Sequence, residues 1–174
     1  KVTVMAIWYE VEKNKQGIDN FLECNWSFHD FTIDRLEYYR KDNLVELFLK
    51  YDDFKDSVIL RFIGIQGMNI VIPDGDYDAY LTGSTLVLSN DNSFTWLAAE
   101  VGADEIEITK KYTTWLQANM IIWAVTDENG DPTELPHSKI DQIWHVYGKT
   151  EEHHFSLKEF TGNPHLTRKL SLTK

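Results

Sequence analysis

Side chains that could do chemistry are few in this sequence, and they are scattered. His29 and Asp30 are neighbours, and a carboxylate beside an imidazole can orient it as a general base. In an extended strand, adjacent side chains point to opposite faces. The pair is therefore expected at a strand entry, bonding loop backbone and fixing a turn rather than holding each other. Cys24 is the only cysteine. Pairing it with His29 would give a nucleophile and a base, but no Cys signature surrounds it, and a lone cysteine ordinarily packs as a small buried hydrophobe.

The densest group of metal-capable side chains is His145 with Glu151, Glu152, His153 and His154. Zinc needs convergent ligands, and neighbours in an extended segment diverge. In a helix, His154 would share its face with Lys158, which is no ligand pair. H-E-x-x-H is absent. Asp74-Gly75-Asp76-Tyr77-Asp78 and Asp127-x-Asn129-x-Asp131 imitate the opening of a calcium loop. Ala79 and Pro132 stand where that loop needs glycine, and Thr85 and Ser138 where it needs the closing glutamate. Turn chemistry accounts for both, so neither metal nor cofactor is expected. The chain also lacks a phosphate-cradling glycine loop, a nucleophile elbow and a nicotinamide fingerprint. No catalytic residue is assigned. Paired acids on a β fold leave no readable spacing, so a carbohydrate- or small-ligand-binding β-sandwich, with or without hydrolytic activity, stands as the alternative to a protein-binding domain.

Binding is better represented than catalysis. Six tryptophans and eight tyrosines are many for 174 residues. Most are expected to anchor the core, with Trp115 and Trp144 as candidate interface anchors. Acids outnumber bases by 28 to 17, for a net charge of −11. A duplex-binding surface needs clustered Lys and Arg to displace counterions, so nucleic acid is not an expected partner. An acidic surface either keeps the chain soluble or steers a basic partner. Asp52, Asp53 and Asp56, packed into one break, are candidate contacts for such a partner. With one cysteine there is no intrachain disulfide, which suits a reducing, cytoplasmic setting. No apolar run approaches the roughly 18 residues of a membrane span, and no leader pattern follows Lys1.

The elements that must position these residues read mostly as strands. Val2 to Glu12 is a first strand, apolar on both alternations through Tyr9. Ile18 to Glu23 reads as one helical turn. From Trp26 to Ile65, three apolar runs are separated by Lys41-Asp42-Asn43 and by the break at 52–56, which spells an antiparallel meander. Val45, Leu47, Leu49 and Tyr51 share one face, as do Val58, Leu60 and Phe62, while Glu46, Lys50 and Arg61 point the other way. That predicts a sheet with one buried side. Gly64 and Gly67 predict a bulge. Short strands follow at Ile70–Ile72, before Pro73, and at Thr85–Leu88. Asn90 to Ser93 forms a hairpin loop, and a further strand begins at Phe94. Ile106 and Ile108 alternate with acids between Glu105 and Thr109. Tyr112 to Val125 is the longest apolar run, and its Thr, Trp and Ile content favours strand over helix. Ile140 to Tyr147 reads as a last strand, Thr150 to Phe160 as a capped short helix or a strand, and 161–174 as a mobile tail. The expectation is one mostly β domain over 1–174, a β-sandwich or a strongly curved antiparallel sheet with one or two short helices.

Trp26-x-Phe28-His29-Asp30, followed by a strand, L-x-L-x-L-x-Y and V-x-L-x-F-x-G, resembles a group of small bacterial families that share a W-x-F-H-D opening. An immunity-protein family of polymorphic-toxin systems is among them. The likeness covers Trp26 to Ile65 and extends faintly to Val125; residues 1–25 and 126–174 fall outside it. The resemblance implies a compact, mostly β protein without catalytic activity, acting by binding and covering a cognate toxin, with specificity in its loops.

Overall fold

Period-two alternation in the central strands sets the architecture. The structure, a computed structural model, describes residues 8–51, 57–72, 80–127 and 131–132. Its elements in chain order are β1 (Tyr9–Glu10), α1 (Lys15–Cys24), a 3-10 turn (Trp26–Phe28), β2 (Phe31–Tyr39), a second 3-10 turn (Arg40–Asp42), β3 (Leu44–Tyr51), β4 (Ser57–Asn69), β5 (Thr85–Leu88), β6 (Phe94–Leu97), α2 (Ile106–Thr109) and β7 (Trp115–Thr126). Register sets Val45, Leu47 and Leu49 of β3 opposite Phe62, Leu60 and Val58 of β4. Those residues in turn face Ile121, Trp123 and Val125 of β7. One face of three adjacent strands is thereby apolar throughout, and burying it drives the fold.

The result is one antiparallel sheet of seven strands in the order β2-β3-β4-β7-β6-β5, with β1 paired to β7 alongside β6. The outer edge of β7 is shared: Trp115 to Ala118 pair with β6, and Ile122 and Trp123 with β1. The sheet is strongly curved and does not close. Phe28 shows the curvature, since its ring lies 5.4 Å from Phe31 on β2 and 6.5 Å from Trp96 on β6, strands that sit far apart in the sheet order. Among the described residues, no helix is long and apolar enough to cross a membrane.

Helix α1 covers the concave side. Asn14 caps it, its Oδ1 accepting from Gly17 N at 2.7 Å. Gly17 is required there, because a Cβ would fall 2.5 Å from the Glu12 carbonyl oxygen. Ile18, Phe21 and Leu22, at helical spacing, deliver one apolar stripe to the core. This helix is ten residues long rather than the single turn expected over Ile18 to Glu23; cap and stripe outweigh the low propensity of Gly17 and Asn20.

Three further expectations are corrected. The sheet is buried on both sides of β3: Glu46 and Phe48, on the second face, are as hidden as their neighbours. Trp8, Phe48, Ile59, Ile122 and Ala124 form a second, smaller core there. Ile70–Ile72 is not a strand; β4 stops at Asn69 and the next three residues run on exposed. Ile106–Thr109 is a short helix, since the i, i+4 bonds Thr109 N to Glu105 O and Lys110 N to Ile106 O close a turn that alternation with acids hid. The bulge foreseen at Gly64 and Gly67 is present as a register shift between Ile65 and Gly67. Residues 2–7 of the first strand, the strand at Ile140–Tyr147, the segment Thr150–Phe160 and the tail 161–174 lie outside the described residues.

Candidate functional site

The W-x-F-H-D stretch is a turn that anchors β2. Trp26, Ser27, Phe28 and Asp30 all adopt left-handed backbone, with φ between 48° and 64°, a conformation that costs non-glycine residues about 1–2 kcal/mol each. Burial of Phe28 and the bonds Phe28 N to Asn25 O (2.7 Å) and His29 N to Trp26 O (3.0 Å) hold it. His29 Nδ1 and Asp30 Oδ2 lie 3.0 Å apart, both side chains well exposed. The strand argument that kept them apart fails because the two residues sit in this turn and not in β2. The pair faces solvent, and no third group among the described residues orients it, which is not how a general base is held. Cys24 is fully buried in the larger core, out of reach of any substrate.

An open cleft of about 600 Å³ lies beside β2. Its first wall is Ile33, Asp34, Arg35 and Leu36; facing them are Ile70–Ile72, Tyr80–Thr82, Ala98 and Tyr112–Thr114. The walls are tied at the base. Leu81 N donates to Phe31 O (2.7 Å) and Asp30 N to Leu81 O (2.9 Å), while Tyr80 bridges Thr32. Val71 N donates to Thr114 Oγ1 (2.9 Å) and Asn69 Nδ2 to Thr113 O (3.2 Å), clipping the run after β4 onto the start of β7.

The rim is unusually apolar for an exposed place. Ile72 is 85% and Tyr112 75% exposed, and Ile70, Val71 and Tyr80 are also open. Its polar groups are hydroxyls of tyrosine and threonine, with Asp34 and Arg35. Arg35 is engaged, its Nε donating to Glu37 Oε1 at 2.9 Å and its guanidinium lying 3.8 Å from the Phe48 ring centroid. Among the described residues the lining holds one carboxylate and no histidine, cysteine or tryptophan. It assembles neither a nucleophile with a base nor a tryptophan face over two acids. Among the described residues no three His, Cys, Asp or Glu converge as metal ligands.

Trp115, the one candidate anchor within view, is not in the cleft. Its Nε1 donates to Lys110 O at 3.1 Å and Lys110 Nζ stands 4.9 Å from its ring. Its six-membered ring also backs Gly67, where a Cβ would come within 3.1 Å. Trp144, Asp52, Asp53 and Asp56 lie outside the described residues. The residues that do form the cleft were passed over in the sequence. Their signal was an apolar triplet, Ile70–Ile72, stopped by Pro73 before it could span a strand. Comparison with protein-family models, with curated proteins and with solved structures finds no match for this chain.

Proposed function

We propose that this chain is a protein-binding domain without catalysis of its own, and that the cleft beside β2 is where a basic partner seats an apolar segment. The exposed run Ile70–Ile72 with Tyr112 carries the reading, because large apolar side chains grouped at the mouth of a cleft mark an interaction site. Charge supports the basic character of the partner. The chain carries −11 overall, and the seven residues that join Ile72 to Tyr80 contain Asp74, Asp76 and Asp78. A summed field of this sign speeds the approach of a cation-rich surface. Neutralising a toxin, the role that the W-x-F-H-D resemblance implies, is one instance of this activity. The carbohydrate-binding alternative receives no support from the lining, which offers tyrosines and a single acid.

The test is to titrate the chain calorimetrically with the purified products of the two genes flanking its own, at low and at high salt. Tight binding of one of them is expected, weaker at high salt. Full burial of an isoleucine is worth about 1.5–3 kcal/mol, so Ile72→Asp should weaken binding at least roughly tenfold. Binding indifferent to both salt and Ile72→Asp would remove the reading.

A further inference from the structure

Ile33, Asp34, Arg35 and Leu36 are consecutive, yet all line the same space. Successive side chains of a regular strand point to opposite faces; with the register shift between Ile33 and Arg35, four in a row border one cavity that runs along the strand's edge. The cleft is therefore a gap in the sheet's own plane, off the outer edge of β2. That edge is the end of the sheet. Tyr80 and Leu81 pair with its first residues and stop at Thr32. Past Thr32, no backbone hydrogen bond among the described residues reaches the outer edge. A strand bonded on one side leaves alternate N–H and C=O groups aimed at the other. Here those groups open into an apolar cleft rather than into bulk water. A register shift between Ile33 and Arg35 makes Asp34 the extra residue of a bulge at this edge, and Asp34 makes no side-chain hydrogen bond among the described residues.

We infer that the cleft takes its partner as an added β-strand: one extended, basic segment of another protein, paired through its backbone to the edge of β2 at 33–36. This rests on the reading of the cleft as the docking site and names how the site is used. Main-chain bonds supply affinity, and alternate side chains supply specificity. Inward residues of the segment pack on Ile70–Ile72, and the intervening ones carry lysine or arginine toward Asp34. The β2 wall is four residues long, about 13 Å at roughly 3.3 Å per residue, so about four partner residues are held. The facing wall at Ile70–Ile72 and Tyr80–Thr82 distinguishes this site from an open edge.

The probe is an acetylated, amidated octapeptide of alternating lysine and valine, titrated into the full chain and followed by amide exchange. Two isomers accompany it, N-methylated at every valine or at every lysine, together with a version carrying glutamate for lysine. Only alternate amides of an added strand face β2. The parent peptide is expected to slow exchange at Ile33 and Leu36, which share with Phe31 the parity that faces the outer edge. One methylated isomer should lose at least roughly tenfold in affinity while the other binds like the parent. If both isomers bind like the parent, strand addition is wrong and the docking site stands. If the parent fails to bind, or binds Ile72→Asp unchanged, the docking reading itself falls and the strand goes with it. Equal binding of the glutamate version overturns the basic character of the segment.

Discussion

Arg61 on β4 and Glu46 on β3 face each other in register, and Arg61 Nε donates to Glu46 Oε1 at 2.7 Å with each side chain only 7% exposed. The Arg61 guanidinium also lies 4.0 Å from the Trp8 ring centroid, and the Tyr39 hydroxyl reaches Glu46 at 3.5 Å. A desolvated pair of this kind is dangerous to break by halves, because the survivor keeps a buried charge stripped of its in-register partner. Glu46→Ala is expected to lose about 3–5 kcal/mol, while the double replacement Glu46→Met with Arg61→Met regains most of it. Urea unfolding of the two variants checks this. A single variant as stable as the parent would mean that the second face of the sheet is wet.

The alkaline limb of stability follows from two phenols. Burial raises the pKa of Tyr9, which stacks on Trp123 at 4.7 Å, with the Cys24 thiol adding to it. Tyr39 is raised by desolvation and by donating to Glu37, with Glu46 and Glu37 adding negative charge nearby. In both, the folded pKa lies above the ordinary value near 10. Their contribution is therefore complete below that pH and is lost as pH rises beyond it, since the unfolded chain ionises first. Unfolding free energy measured against pH should bend downward there, and Tyr39→Phe should soften the bend.

The acid limb has a smaller counterpart at the β5–β6 hairpin. Ser93 donates its hydroxyl (2.6 Å) and its amide (3.1 Å) to Asp91 Oδ1, which holds that exposed carboxyl below its usual range. A depressed carboxyl contributes at neutral pH and stops contributing as pH falls through the acid range. Ser93→Ala, which removes the hydroxyl bond and leaves the amide bond, should raise the titration midpoint of the Asp91 carbon resonance part of the way toward the ordinary range.

The left-handed turn before β2 separates backbone strain from packing. Ser27 has φ 51° and is only partly buried, so Ser27→Gly should be neutral or stabilising by up to about 1 kcal/mol. Phe28, fully buried between Phe21, Phe31 and Trp96, should lose about 3–5 kcal/mol on replacement by alanine. Thermal unfolding of the pair measures both. Equal losses would show that the turn is held by its backbone bonds instead.

Gly64 offers a further check on the bulge. Its φ is +71°, and a Cβ there would lie 2.6 Å from Asn119 Nδ2. Gly64→Ala should cost about 1–2 kcal/mol for the left-handed backbone alone. Adding Asn119→Ala should relieve only the steric part, leaving the double variant below the parent in denaturant midpoint.

Strands were legible where one periodicity dominated. Val45, Leu47 and Leu49 declare their face because Glu46 and Lys50 interrupt it, and the same holds for Val58, Leu60 and Phe62 around Arg61. What alternation could not reveal is that Glu46 and Arg61 neutralise each other, so the face they mark as polar is buried too. Helix α2 hid because four residues are too few for a helical period to rise above Ile–Glu alternation. The cleft was the least readable feature. Its walls come from Ile33–Leu36, Ile70–Ile72, Tyr80–Thr82 and Tyr112–Thr114, brought together by the curvature of the sheet and by long-range bonds such as Leu81 N to Phe31 O, and no local pattern encodes either. The aromatic content pointed to anchors, but it favoured tryptophans by type, whereas the exposed rings that line the cleft are Tyr80 and Tyr112.

The central claim is that the edge of β2 and the apolar run after β4 form one docking face. Hydrogen exchange of the chain alone and in complex with its basic partner tests it most directly. Slowed exchange is expected along Ile33–Leu36, Ile70–Ile72 and Tyr112–Thr114, with α1 and the β5–β6 hairpin unchanged. A footprint on α1 or β5 that leaves those three segments exchanging as in the free chain would contradict it.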